Sequence, residues 1–269
     1  MTPLKNILLL LPFSLLILSC EADSPDKEPE KPEEKLEVNL SVPSHQLGVD
    51  EMAVIEFSSN KPLVEVRDVW ETGHRSYSMT MPGESLPDDL KLYFKYPDPG
   101  AKKVHLEFTS LDGITVAKEL NFEVSRGNTV QIIGIEVHSF RNMDGTWDPE
   151  YGEDDEDRLA DVGFVLEKLR HSNFVSEEHF MGRWYQSDVR KNQQDLYWDL
   201  SEEELYVDSR HLVQIGLADE DNGQLAEDLF PMPVLLDFRL MQYEESRPEQ
   251  VNLISEELEV NLTFYLDWP

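Results

Sequence analysis

A stretch in the second half of the chain gathers carboxylates directly after a predicted strand. Apolar residues alternate with smaller or polar ones over residues 212–217, and Asp219, Asp221 and Asp228 follow, with Asn222-Gly223 turning the chain between them. Carboxylates this close repel one another unless a cation cancels their charge. Calcium does so readily, because it takes about 6–8 oxygen ligands and prefers carboxylates. The pattern therefore predicts a calcium site in this loop.

A second acidic loop, residues 147–161, precedes another predicted strand. Two loops that meet at one end of a β-sandwich would bring their aspartates together. Without a cation, such a group would destabilise the fold, and its members would raise one another's pKa values. The alternative is an acidic rim that water solvates. We predict metal ligands at Asp148, Asp161, Asp219, Asp221 and Asp228.

The composition limits the classes of partner and the sources of stability. The chain has 269 residues, 40% of them hydrophobic, which is enough for a packed core. Its net charge of -32 would repel phosphate backbones, so we expect no nucleic-acid partner. Because Cys20 is the one cysteine, no internal disulfide can form. An exported chain of this kind must draw its stability from core burial and bound metal.

The first residues have the pattern of a secretory signal. One basic residue, Lys5, precedes an apolar run over residues 7–18. The run is too short to span a bilayer of ~30 Å, but it fits the core of a signal peptide over residues 1–19. Residues 17–20, Ile-Leu-Ser-Cys, resemble the lipobox of bacterial lipoproteins, in which the cysteine receives the lipid. This resemblance implies that acyl chains such as palmitate anchor Cys20 in the lipid bilayer.

Residues 20–35 are predicted to form a disordered acidic tether. They are rich in charge and proline and contain almost no apolar side chains, so they cannot bury enough surface to fold. An acidic run after a lipidated cysteine resembles the surface-export signal of lipoproteins in the Bacteroidetes group. The resemblance implies a surface-facing position on the outer membrane of the cell envelope. The alternative is a plain solvated linker.

Residues 36–127 are predicted to form a first β-sandwich. Apolar residues alternate with polar ones over residues 104–108 and again over 120–124, which puts each apolar set on one face of a strand. Asp112-Gly113 between them is a strong turn signal. The run over residues 100–124 resembles the last two strands of immunoglobulin-like modules of bacterial surface proteins. Trp70 and His74 fall in a less regular stretch, where we predict Trp70 to be a core residue.

Residues 128–269 are predicted to form a second β-sandwich of about eight strands. Ile133, Ile135 and Val137 alternate in the opening strand, and apolar residues alternate strictly from Leu258 to Trp268 in the last one. Helix signals are scarce. The sequence therefore predicts an all-β fold of two tandem β-sandwiches.

The acidic loops of the second half resemble those of a known domain family. Residues 218–221, Ala-Asp-Glu-Asp, with Asp228 resemble the third calcium loop of the C-two domain, a calcium- and phospholipid-binding sandwich. Residues 160–166 resemble the end of its first calcium loop. In the family the third aspartate comes one residue earlier, at the position that Glu227 occupies here. The resemblance therefore makes Glu227 a further candidate ligand, and it adds Asp144 and Asp155 as alternatives to Asp148 in the first loop. The resemblance implies a calcium-binding, C-two-like module. It does not imply phospholipid binding, because basic residues near these loops are few.

No enzyme is predicted. The chain contains no nucleophile elbow, no His-Glu-x-x-His motif, no phosphate-binding glycine loop and no Cys-x-x-Cys. The leading hypothesis is a lipid-anchored cell-envelope binding or scaffolding protein with a calcium-stabilised module and a protein or glycan partner. One alternative is a carbohydrate-binding surface lipoprotein that uses Trp184 and Tyr185 with Tyr197 and Trp198. Another is a secreted hydrolase that uses the acidic pocket.

Overall fold

The computed structural model describes residues 34–69, 77–221, 223–231 and 234–269, without the side chains of Tyr77, Ala226 and Glu227. Within these ranges the fold is all-β, as predicted, and helix is confined to the 3₁₀ turns Glu156–Arg158, Lys191–Gln193 and Leu240–Tyr243. No helix in the same ranges is both long enough and apolar enough to cross a membrane. The predicted signal peptide, Cys20, Trp70 and His74 lie outside the described residues.

The first half forms a sandwich of two sheets. One sheet has the order β1-β3-β6 and the other β2-β8-β7-β4-β5, and the pairing is antiparallel except between β2 and β8. The strands are β1 (Val38–Ser41), β2 (Gln46–Gly48), β3 (Met52–Ser59), β4 (Leu63–Asp68), β5 (Tyr77–Thr80), β6 (Lys91–Lys95), β7 (Gly100–Ser110) and β8 (Thr115–Ser125).

The longest hairpin of this sandwich follows the alternation that the sequence shows. Val104, Leu106 and Phe108 of β7 are buried, because a two-residue period puts all three on the inner face. The chain reverses at the predicted turn, where the Gly113 backbone has a φ of 84° and its N–H donates to the Ser110 carbonyl at 2.9 Å. Glycine adopts this left-handed conformation without strain.

The second half forms a second two-sheet sandwich. One sheet has the order β12-β9-β18-β17, with β13 also on β9, and the other β11-β10-β14-β15, with β16 also on β14. The strands are β9 (Val130–Ser139), β10 (Val162–His171), β11 (His179–Gln186), β12 (Tyr197–Asp199), β13 (Tyr206–Val207), β14 (Leu212–Asp221), β15 (Gln224–Asp228), β16 (Leu236–Arg239), β17 (Gln250–Ser255) and β18 (Val260–Asp267).

A β-bulge changes which residues of β9 face the core from those that the sequence predicts. In β18 the buried residues alternate as expected from Val260 to Leu266, although Leu258 and Trp268 lie outside the strand. In β9, Ile135 and Val137 face the core, but Ile132 is buried in the place predicted for Ile133. The ladder explains the change, since Tyr265 pairs with Gly134 and Leu266 with Ile132, so that Ile133 has no partner on β18.

The two sandwiches keep separate cores within one compact unit, Leu36–Pro269. The domain boundary between residues 127 and 128 stays a prediction, because the first core also contains residues from the second half. Contacts cross the boundary: Phe174 packs in the first core, and its carbonyl accepts from the Tyr93 N–H at 2.8 Å. The Lys168 ammonium, 1% exposed, pairs with the Asp50 carboxylate at 3.0 Å.

Candidate metal centre

Asp219 lies on the inner face of β14, where the strand continues its alternation of buried residues. Val213, Ile215 and Leu217 fill the core, and Asp219 takes the next inward position with 1% of its surface exposed. The neighbouring strand begins there, since Val162 of β10 pairs with Asp219. A carboxylate therefore occupies a position that the pattern of the strand would assign to an apolar side chain.

The two oxygens of the Asp219 carboxylate differ in their environment. Oδ1 accepts a hydrogen bond from the Asp161 backbone N–H at 2.6 Å. Oδ2 is buried and makes no hydrogen bond with any described residue. A buried polar atom without a partner costs about 1–3 kcal/mol, and more when it is charged. The structure thus leaves one carboxylate oxygen available to a ligand that is not protein.

Two further aspartates converge on Asp219. One carboxylate oxygen each from Asp148, Asp219 and Asp221 lies within 4.8 Å of the other two. Asp221 ends β14, and Asp148 comes from the loop between β9 and β10. The loops that the sequence predicted to meet do meet at one end of the sandwich. A hard cation that uses oxygen ligands fits this donor set.

Arg158 holds the loop that carries Asp148, a role that the sequence analysis missed. Its guanidinium donates to the carbonyls of Glu153 at 2.7 Å, Asp144 at 2.7 Å and Gly145 at 2.9 Å. Its own carbonyl accepts from the Trp147 N–H at 2.8 Å. The signal was present in the sequence, because Arg158 is the only basic residue among residues 142–160.

Asp161 and Asp228 do not join the three. Asp161 lies beside Asp219, but its Oδ1 accepts from the Asn192 N–H at 2.8 Å. The exposed Asp228 pairs with Ala218, so its side chain faces the opposite side of the sheet from Asp219. The prediction that Asp228 is a metal ligand of this group is therefore wrong. Glu227 pairs with Asp219 in the ladder, and its side chain lies outside the described residues.

The two remaining candidates have structural roles in the long loop. The Asp155 carboxylate accepts from the Asp157 N–H at 3.1 Å and caps the 3₁₀ turn that follows. Asp144 has a φ of 65°, and its backbone N–H donates to the Gln193 side chain at 3.3 Å. Both contacts shape the loop, and neither residue belongs to the group around Asp219.

The electrostatics of the site favour a bound cation. Burial, followed by the negative charges of Asp148, Asp221 and Asp161, raises the pKa of Asp219 to about 7, although the Asp161 N–H opposes the rise. Burial and neighbouring carboxylates, including Asp161 and Asp221, also raise the pKa of Asp148. A divalent ion would reverse both effects, because it stabilises the ionised carboxylates that surround it.

The aromatic residues predicted as a sugar platform do not form one exposed surface. Trp198 is 1% exposed, and its indole N–H donates to the Asp188 carbonyl at 3.0 Å. The Lys168 ammonium lies 4.2 Å from the centre of the Trp184 ring. Tyr197 is 39% exposed and meets Tyr265 edge to face. Trp184 and Tyr185 are half-buried against the core, so Tyr197 is the most exposed ring of the four.

The similarity of this chain to known proteins is low. No protein-family model matches the chain. No curated protein matches it. One similar structure concerns carbohydrate-binding modules of the β-sandwich superfamily, with 9% identity, a TM-score of 0.27 and coverage of 87% of this chain and 90% of that one. Another contains the SMP and C-two domains of extended-synaptotagmin 2, with 11% identity, a TM-score of 0.27 and coverage of 86% and 57%. Similarities this low carry no inference about ligand or function.

Proposed function

We propose that this chain is a lipid-anchored cell-envelope protein that binds or scaffolds a partner, and that calcium held by Asp148, Asp219 and Asp221 stabilises its second sandwich. One observation carries the metal site: the Asp219 Oδ2 atom is buried, has no hydrogen-bond partner among the described residues, and belongs to a carboxylate grouped with two others. A cation supplies the missing partner and cancels the repulsion.

Calcium suits this site better than the other common metals. The three side chains offer only oxygen ligands, whereas zinc sites in proteins use histidine and cysteine as well. Magnesium demands near-ideal octahedral geometry and gives up its water reluctantly. Calcium accepts irregular sets of 6–8 oxygens, so water and backbone carbonyls complete its shell. Extracellular calcium modules bind at about 10⁻⁴–10⁻³ M, which suits an exported protein.

The anchor and the partner class rest on the sequence. Residues 17–20 have the lipobox pattern, and Cys20 is the one cysteine of the chain. We do not favour the secreted hydrolase, because the carboxylates of the site are better explained as metal ligands than as a general acid and base. The absence of catalysis stays a prediction.

Thermal unfolding of residues 36–269 with and without calcium tests the metal site. At 10 mM calcium, a Kd of 10⁻⁴–10⁻³ M gives about 1.4–2.7 kcal/mol of stabilisation. For a domain of this size, that is a rise in Tm of about 3–10 °C. The same concentration of magnesium should give a smaller rise, and a chelator should remove the effect.

Matched variants separate the site from general charge screening. Asp148→Asn and Asp221→Asn should lose most of the calcium response. Glu202→Gln is the control: it also removes one carboxylate from the second sandwich. Because Glu202 lies in the exposed turn after β12, this variant should keep the full calcium response. The metal assignment fails if calcium leaves the Tm unchanged, or if all three variants respond like the parent protein.

A further inference from the structure

A polar groove of about 580 Å³ lies beside the metal centre at the end of the second sandwich. We name it the Trp147 groove. Its volume is within the range of about 300–1,000 Å³ that ligand sites occupy. The loop after β9, the end of β15 and the turn before β18 supply its walls, which are formed by Arg141, Asn142, Thr146, Trp147, Asp228 and Glu259.

The charged side chains of the groove have no partners within the described part of the protein. Among the described residues, Arg141 is the one arginine whose guanidinium makes neither a hydrogen bond nor an ion pair. This is unusual in a chain with a net charge of -32. Asp228 and Glu259 are also exposed, and their carboxylates likewise contact no described donor. These groups are therefore free to bind a ligand.

The aromatic wall of the groove is held in place. The Trp147 indole N–H donates to the Asn142 carbonyl at 3.2 Å, and the ring centre lies 6.3 Å from that of Phe140. The Trp147 backbone N–H donates to the Arg158 carbonyl at 2.8 Å. A ring fixed in advance loses little conformational entropy when a ligand stacks on it. The loop is thus organised for binding before any ligand arrives.

We propose that the Trp147 groove binds a neutral saccharide. A sugar ring offers an apolar C–H face to an aromatic ring and hydroxyl groups to donors and acceptors around its edge. The groove supplies an indole, a guanidinium donor, an amide, a hydroxyl and two carboxylate acceptors. Charge-assisted hydrogen bonds of this kind are the stronger ones. The two carboxylates and the negative chain repel acidic sugars, and Arg141 opposes a cationic ligand.

Calcium should strengthen this binding, a point that rests on the proposed function. Trp147 directly precedes Asp148, so an ion held by Asp148 would restrict the backbone that carries the ring. A ligand that finds the loop already ordered binds more tightly. The saccharide should therefore bind in the presence of a chelator and bind more tightly with calcium.

The experiment presents residues 36–269 to an array of neutral gluco-, manno-, galacto- and N-acetylhexosamine tetrasaccharides, and measures the strongest binder by calorimetry. Arg141→Ala and Asp228→Ala should each weaken its Kd about tenfold or more, which is the loss expected for one charge-assisted hydrogen bond. Both residues are exposed, so these variants should fold normally. Arg239→Ala, which removes an exposed arginine from β16, should bind like the parent protein.

The outcomes separate this proposal from the metal site. No binding to any neutral tetrasaccharide, tighter binding to acidic sugars, or equal Kd values for Arg141→Ala and Arg239→Ala would each overturn the groove assignment. Saccharide binding without any effect of calcium on Tm would support the groove and refute the metal site. A rise in Tm with calcium but no saccharide binding would support the metal site and refute the groove.

Discussion

Replacing Asp219 by asparagine should stabilise the protein when calcium is absent. The carboxylate is buried beside Asp148 and Asp221, and its pKa rises from 3.8 to about 7. At 1.36 kcal/mol per pKa unit, this difference corresponds to up to about 4 kcal/mol lost from the unfolding free energy when Asp219 is ionised. Asparagine carries no charge, and its oxygen can still accept from the Asp161 N–H. Its amide can donate to the carboxylates that surround it.

The effect has a definite dependence on pH. Because the folded pKa of Asp219 lies above the unfolded value, the folded state binds more protons between about pH 4 and 7. The contribution of Asp219 to stability therefore falls as the pH rises through this window, and the loss is complete above it. The Asp219→Asn variant does not titrate at this position, so its advantage over the parent protein should be less than half of its full size at pH 5 and full at pH 8.

Denaturant unfolding of residues 36–269 in a chelator, at pH 5 and pH 8, measures both quantities. The difference between parent and variant at each pH isolates Asp219 from the histidines and the other carboxylates. With 10 mM calcium at pH 8, the advantage of the variant should shrink by about 1.4–2.7 kcal/mol, because the variant loses a metal ligand. An Asp219→Asn variant that is less stable than the parent in chelator at pH 8 would refute the reasoning, as would an advantage that does not grow with pH.

Three other perturbations test the remaining parts of the structure. Lys168→Met leaves the buried Asp50 carboxylate without its ammonium partner and should cost about 3–5 kcal/mol of unfolding free energy. Adding Asp50→Asn should restore most of this loss, as measured by denaturant unfolding, because asparagine carries no charge and tolerates the φ of 62° at position 50. A double variant as unstable as Lys168→Met alone would contradict this. Arg158→Ala releases the three loop carbonyls that the Arg158 guanidinium binds, so the calcium-induced rise in Tm should fall by about half or more. An unchanged rise would show that Arg158 does not position the metal ligands. Cys20→Ser should abolish incorporation of labelled palmitate in cells, and a labelled variant would exclude Cys20 as the anchor.

The candidate site shows where prediction from sequence succeeds and where it fails. The sequence was sufficient to propose Asp148, Asp219 and Asp221, because two acidic loops flank strands that must pair. It was not sufficient to exclude Asp228, since its side of the sheet depends on its pairing with Ala218. The loop between β9 and β10 has no period, so which of its carboxylates turns inward could not be read from spacing.

The sequence by itself determined the all-β class, the inner faces of most strands and the acidic character of one end of the second sandwich, because a two-residue period is a local property of the chain. Only the tertiary structure decided which groups meet. Register across strands moved Ile133 out of the core, and the packing of two sandwiches buried Lys168 against Asp50. These outcomes depend on contacts between residues far apart in sequence, and no local pattern encodes the distance between two such side chains.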